Sequence, residues 1–154
     1  MAVVMKYINL ISRCAELYRA EKLGTLGLAP HHHTYVVHIS REPGVSQEEL
    51  CRRMHLNKSS VARALLKLER DGFCERVPDE NDRRVLRVYP TKRMTDVYPS
   101  VVEVLRDWKG FLLGDLCEEE VEMLSSLLAR ISVPAAQYAD EHIELEDAES
   151  EDCI

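Results

Sequence analysis

"NKSSVARALLKLERDGFCERVPDENDRRVLRVYP", residues 57–90, is the stretch whose reading decides the fold. It reads as a helix followed by a hairpin. Asn57 is a good N-cap, because its side-chain oxygen can accept an amide proton that the first turn leaves unmet. Gly72 stands where a helix end wants a left-handed residue. On a 3.6-residue wheel Val61, Ala64, Leu65 and Leu68 fall on one side; Ser59, Ser60, Arg63, Lys67 and Arg70 fall on the other. Residues 73–77 and 83–89 are rich in Phe, Val, Leu and Tyr with charges interleaved, and the turn-prone "PDEND" joins them into a two-stranded hairpin.

Just upstream, "VSQEELCRRMHL" (residues 45–56) opens with Ser46 and, three positions on, Glu49, a capping-box pattern. Leu50 and Met54 supply its inner face. Two helices joined by a very short turn, the second longer and basic, form a helix-turn-helix, and the hairpin after them makes it winged. Ser59 and Ser60 are small enough for close approach to a duplex. Arg63, one turn on, can reach a base edge, with guanine O6/N7 the favoured bidentate target. Lys58 at the helix N-terminus suits a phosphate, and Lys67 extends the basic face. Taken alone, that face is equally well a solvated helix surface. The hairpin tips the balance, since Arg83 and Arg84 at its tip are placed to enter a narrow, electronegative minor groove. Asp82 is expected to hold an arginine, Arg76 or Arg84, extended by a charge-assisted bond. Asp79 and Glu80 are expected to face solvent.

Working outward, "GTLGLAP" separates a helix over residues 3–22 from a short helix in "HHHTYVVHIS", with Pro30 placed as a first helical residue. Past Pro90 two further helices follow, over 93–116 and 118–143, the first bent or begun by Pro99. The fold expected is mostly α with a small β-hairpin wing. Residues 1–28 form an N-terminal helix, 29–93 the winged helix-turn-helix, 94–139 two C-terminal helices, and 140–154 an acidic tail without regular structure.

The 154-residue chain carries a net charge of -7, unevenly spread. From Ser46 to Arg93 there are twelve Lys/Arg against eight Asp/Glu, while Asp140 to Asp152 holds eight acids and no Lys or Arg. A locally basic segment in an acidic chain points to a bounded anionic partner. No apolar run nears the roughly 18–20 residues that cross a bilayer, and the N-terminus has no basic start or small-residue cleavage site, so no membrane partner and a cytoplasmic location are expected. Five scattered cysteines (Cys14, Cys51, Cys74, Cys117, Cys153) give neither a disulfide framework nor a zinc pattern.

"GVSQEELCRRMHLNKSSVARALLKLERDGFCERVPDENDRRVLRVYPTKR" resembles the winged-helix core of the MarR (multiple antibiotic resistance regulator) transcription factors. The "SQEEL" helix start, "NKSSVARALLKLERDGF" and the wing "DENDRRVLRVYPT" carry the likeness, over about residues 28–95. "EEEVEMLSSLLARI" is similar to the family's last helix. Two departures stand out: Pro90 and Arg93 replace the usual Thr and Gly after the wing, and Cys117 stands where a Ser or Thr cap starts the last helix. The resemblance implies a homodimer on double-stranded DNA, the helices of residues 1–28 and 94–139 forming the dimerisation region and each recognition helix entering a major groove of a pseudo-palindrome with half-sites roughly 10 bp apart. It further implies a repressor released by a small ligand, oxidant or metal near the junction of dimer and DNA-binding units. No enzymatic activity or cofactor is implied.

For the effector, the resemblance implies an organic, often aromatic, ligand between the first helices, a pocket to which we assign Cys14, His31, His32 and Tyr35. The histidines at 31, 32, 33 and 38 invite a metal reading. However, adjacent helical residues diverge by about 100 degrees, and His31 and His38 lie about 10 Å apart along the axis. No pair has i, i+4 spacing, so a metal would need ligands from Cys14, Glu16 or His142. Thiol sensing at Cys14 would need an exposed, stabilised thiolate, which its sequence neighbours do not supply. The alternative from another class, a winged helix that meets an acidic protein, is disfavoured by the basic wing and the acid-free start of the recognition helix. Nucleophile-elbow, phosphate-loop and metalloprotease motifs, which would mark an enzyme, do not occur.

Overall fold

A computed structural model describes the backbone of residues 2–151 and the side chains of residues 3–142. In chain order the elements are α1 (Ala2–Gly24), α2 (His32–Arg41), β1 (Val45–Ser46), α3 (Gln47–Met54), α4 (Lys58–Arg70), β2 (Cys74–Pro78), β3 (Leu86–Pro90), α5 (Lys92–Leu113) and α6 (Glu118–Glu151). The mostly helical fold with a small wing is as the sequence implied.

The helix-turn-helix forms as its caps dictate. The Ser46 hydroxyl accepts from the Glu49 amide at 3.0 Å, and Asn57 Oδ1 accepts from the Ser60 amide at 2.8 Å. Only half of the capping box is made, because the Glu49 carboxylate turns to Arg52 and Arg53, whose hydrogen bonds hold it down to about 2. Between the helices His55 sits in the left-handed region at φ 51. Gly72 closes α4 at φ 77, as expected. The inner residues Val61, Ala64, Leu65 and Leu68 are buried against Phe73, Leu50, Val36 and Ile39, each large one stabilising the unit by about 1.5–3 kcal/mol.

The sheet is three-stranded, in the order β1-β3-β2, and antiparallel throughout. Sequence reading missed β1, since two residues are too few to show alternation. Its pairing Val45↔Val88 nevertheless buries both valines. β3 starts at Leu86 rather than 83, because residues 79–85 form the wing tip. Helix α2 starts at His32, two residues after Pro30: the His32 amide donates to Ala29 O at 3.0 Å and the Ala29 amide donates back to His32 Nδ1 at 3.2 Å, so the histidine closes its own turn.

The side chains of two residues, Thr91 and Arg93, tie the start of α5 to the segment just past the end of α4. Thr91 Oγ1 donates to the carbonyls of Gly72 (2.6 Å) and Phe73 (2.9 Å), and its hydroxyl caps α5. The Arg93 guanidinium lies 4.3 Å from the Phe73 ring and donates to Asp71 O, which gives the unusual arginine a structural use. α5 is continuous across Pro99, which therefore does not divide it. At the next joint Glu120 accepts from the Cys117 amide at 2.9 Å, the half of a capping box that does not depend on the cap side chain.

The outlying helices keep broad apolar faces uncovered in the single chain: Val4, Tyr7 and Ile11 on α1, Phe111 on α5, and Met123 and Ile131 on α6 are all 48–80% exposed. Residues 140–151, expected to lack regular structure, have a helical backbone continuous with α6. That segment contains no glycine or proline, and its Glu, Ala and Leu are good helix formers. Among the described residues no helix is long and apolar enough to cross a membrane. Cys74 is buried, Cys14 and Cys51 are half-buried and Cys117 is exposed; Cys153 lies outside the described residues.

Candidate nucleic-acid interface

The outer face of α4 is polar from its first turn. Ser59, Arg63, Lys67 and Arg70 are exposed and Ser60 is half-buried. Ser59 donates to Asn57 Oδ1 at 3.1 Å, and Arg63 reaches Ser60 Oγ only at 3.4 Å, a bond too long to fix the guanidinium. Lys67 is tied along the helix to Asp71 at 2.9 Å, but its side chain is 63% exposed and the pair is weak. No acid stands in the first turn of α4, so the partial positive charge of the helix N-terminus is not offset there.

The wing tip is built by two aspartates. Asp79 N donates to Val85 O at 2.8 Å, while Asp79 Oδ1 accepts from the amides of Asn81 and Asp82 (2.9 and 3.1 Å). Its second oxygen binds Arg87 Nε at 2.6 Å, and Arg87 Nη1 continues to Gly44 O at 3.1 Å. Asp79 is thus a keystone and not, as expected, a solvent-facing acid; hydrogen bonds from Arg87 and the tip amides hold its carboxyl below the usual range. Asp82 holds Arg84, accepting from its amide at 3.0 Å and from Nε at 3.3 Å. Of the two arginines considered for that contact the structure selects Arg84. Arg76 instead pairs with Glu69 of α4 at 2.7 Å. The Arg84 side chain remains 93% exposed, and Arg83 is exposed with no partner among the described residues.

Helix and wing meet. Lys58, Asp82 and Arg84 line one groove of about 330 Å³ with Gln47, Glu48 and Cys51 of α3. Sequence reading placed the charged residues but missed Asp79, Arg87 and Gly44, which shape the tip. Their signal was opposite charge at the two ends of the hairpin, legible only once the turn length is known.

The residues assigned to an effector come together in part. His31, His32 and Tyr35 line a second, mainly apolar groove of about 500 Å³ with Ala29 and Leu56. Its far wall is α4 itself: Ser60, Arg63, Ala64 and Lys67. Cys14, half-buried on α1, is not part of it. Burial, reinforced by His31, pushes His32 down to about 4, so it is neutral near pH 7 with its proton on Nε2, the Nδ1 being an acceptor. Burial likewise pushes the Tyr35 hydroxyl up to about 12. Among the described residues no group of three His, Cys, Asp or Glu is arranged to hold a metal ion.

Comparison with known proteins bears on this arrangement. The sequence profile of the MarR family matches residues 28–86. The HTH-type transcriptional regulator YybA of Bacillus subtilis (strain 168) is 29% identical over 128 residues, 83% of this chain and 85% of that protein. The HTH-type transcriptional regulator BilQ of Clostridium symbiosum (strain WAL-14163) is 31% identical over 97 residues, 63% of this chain and 67% of that protein. The crystal structure of MarR superposes with a TM-score of 0.75 at 29% identity, covering 89% of this chain and 93% of that one. A mutant MarR from E. coli in complex with operator DNA has the same fold, with a TM-score of 0.76 at 21% identity over 83% of this chain and 92% of that one.

Proposed function

This chain belongs to the MarR family of winged helix-turn-helix transcription regulators, and on that premise we propose that it represses transcription by binding a pseudo-palindromic operator as a homodimer and leaves the DNA when a small organic effector binds. The observation that carries the proposal is the shared groove of Lys58, Asp82 and Arg84, which brings the start of α4 and the wing to one surface. In this reading Arg63 reads a base edge from the outer face of α4, with Ser59 and Ser60 allowing close approach. Lys58 and Lys67 meet phosphates, and Arg83 and Arg84 enter the minor groove with Asp82 holding Arg84 extended. A relative of the same fold is known in complex with operator DNA, which supports DNA as the partner here.

Dimerisation is supported by the apolar faces of α1, α5 and α6, which a second copy would cover. The effector reading is supported by the apolar groove of His31, His32 and Tyr35. Because Ser60, Arg63 and Lys67 form its other wall, an occupant there and DNA make competing demands on the same side chains.

The test is a fluorescence-anisotropy titration of labelled DNA from upstream of the chain's own gene, against scrambled DNA, at two salt concentrations. Tight, salt-sensitive binding of two chains per site to the upstream DNA is the result expected. Equal binding to both sequences across the whole upstream region would overturn sequence-specific recognition. The same assay, with phenolic ligands added, checks release.

A further inference from the structure

Helix α6 returns to the DNA-binding unit. Asp140 Oδ1 lies 2.7 Å from His55 Nδ1, a contact between residues 85 positions apart. The two side chains are 55% and 44% exposed, so the pair itself adds little stability. Its importance is where it puts the chain. His55 is the left-handed residue of the α3–α4 turn, two positions before the Asn57 cap and three before Lys58.

Asp140 also opens the most acidic part of the molecule, with eight acids and no Lys or Arg as far as Asp152. The backbone stays helical to Glu151, and at about 1.5 Å per residue that is roughly 16 Å of acid-bearing helix beyond the contact. The place it starts from is receptive to negative charge: a helix N-terminus with a lysine at its first position and no acid in its first turn. It is also where a DNA phosphate would sit.

We infer that the acidic C-terminal segment that begins at Asp140, held beside the α3–α4 turn by the His55 contact, acts as an intramolecular competitor of DNA for the start of α4. The inference rests on the DNA-binding reading of α4 and the wing. The segment adds negative potential beside Lys58, and a duplex must displace it before its own phosphates can approach. The docking surface therefore takes polyanions of two origins, one carried by the chain and one brought by the nucleic acid. Tethering makes the internal one always present, while its weakness, that of exposed ion pairs, lets DNA win. Salt weakens both, so the internal brake acts most strongly where DNA binding is otherwise tightest.

The test compares affinity for a labelled duplex at low and at physiological salt. Four proteins are measured beside the full chain. One ends at residue 143. A second is full-length with Glu144, Glu146, Glu149 and Glu151 changed to Gln and Asp147 and Asp152 to Asn. A third is Asp140→Ala. The fourth, a control for net charge, carries Glu118→Gln, Glu119→Gln and Glu122→Gln at the other end of α6. The first two are expected to bind about threefold or more tighter at low salt, with the gain shrinking as salt rises. Asp140→Ala should gain part of that, and the control much less. Equal affinity of the truncated, neutralised and full chains would overturn the inference alone. A gain in the control of half that of the neutralised protein or more, on a logarithmic scale, would also overturn it, because three charges removed elsewhere would then count as much, charge for charge, as six removed here. Failure of every form to bind duplex at low salt would overturn the DNA-binding reading and this inference with it.

Discussion

Asp79 and Arg87 are joined at 2.6 Å across the base of the wing tip, and the arginine goes on to the Gly44 carbonyl. One carboxylate thereby links the turn amides of Asn81 and Asp82 to β3 and to the residue before β1. The contact sits away from the core, so it shapes the wing more than it stabilises the fold. Asp79→Ala should leave the thermal midpoint within a few degrees of the parent. It should nonetheless weaken operator binding several-fold, because the turn that carries Arg83 and Arg84 loses its anchor. Thermal melts and anisotropy titrations on one preparation check both halves.

Arg63 and Arg84 should fail differently. Arg63→Ala is expected to relax discrimination at one base pair of each half-site, by about 1–3 kcal/mol. Arg84→Ala should weaken binding to all sequences alike and lower the slope of log affinity against log salt by about 1. Titrations of single-base operator variants at several salt concentrations separate the two. An unchanged preference in Arg63→Ala would mean that α4 is docked differently from the orientation proposed.

Two glycines with positive φ differ in their surroundings. At Gly72 (φ 77) an added Cβ meets nothing within 4 Å, so Gly72→Ala should cost only the left-handed strain, about 1–2 kcal/mol. At Gly44 (φ 89) the Cβ would also stand 3.1 Å from the Tyr89 ring, so Gly44→Ala should cost more by whatever moving that ring requires. Urea unfolding of both variants measures the difference, and Gly72→Ala should be the milder.

His32 gives the fold a dependence on pH. Its folded value is about 4, against 6.5 for the free side chain. Below 6.5 the unfolded chain takes up a proton that the folded chain refuses until about 4. Stability is therefore fully present above 6.5 and lost as pH falls across that window, by up to roughly 2–3 kcal/mol. Burial lowers His33 and His38 too, which adds in the same direction. His32→Asn, which keeps an acceptor near Nδ1, should flatten the dependence between pH 7.5 and 5, above the range of the carboxylates. Urea midpoints at the two values provide the check.

Helix α4 was legible because its instructions are local. Asn57, Gly72 and the alternation of Val61, Ala64, Leu65 and Leu68 with serines and arginines all act within one or two turns. What escaped was set by contacts distant in sequence or by very short segments. β1 is two residues long and exists through Val88; Asp79 turns inward because Arg87 lies opposite; α2 begins late because His32 closes a turn on Ala29. The meeting of His55 with Asp140 spans 85 positions and leaves no mark in either local sequence. The charged residues of the candidate interface were legible as types, but only the fold brought Lys58 and Arg84 to one groove.

Thr91 and Arg93 give the joint between α4 and α5 little freedom. One binds the Gly72 and Phe73 carbonyls, and the other grips the Asp71 carbonyl and the Phe73 ring. A tilt of α5 is therefore handed on to the end of α4 as a tilt and is not absorbed as a bend. In the homodimer proposed above, control would then lie in the gauge between two reading heads, set like the jaws of a caliper, with each head unaltered.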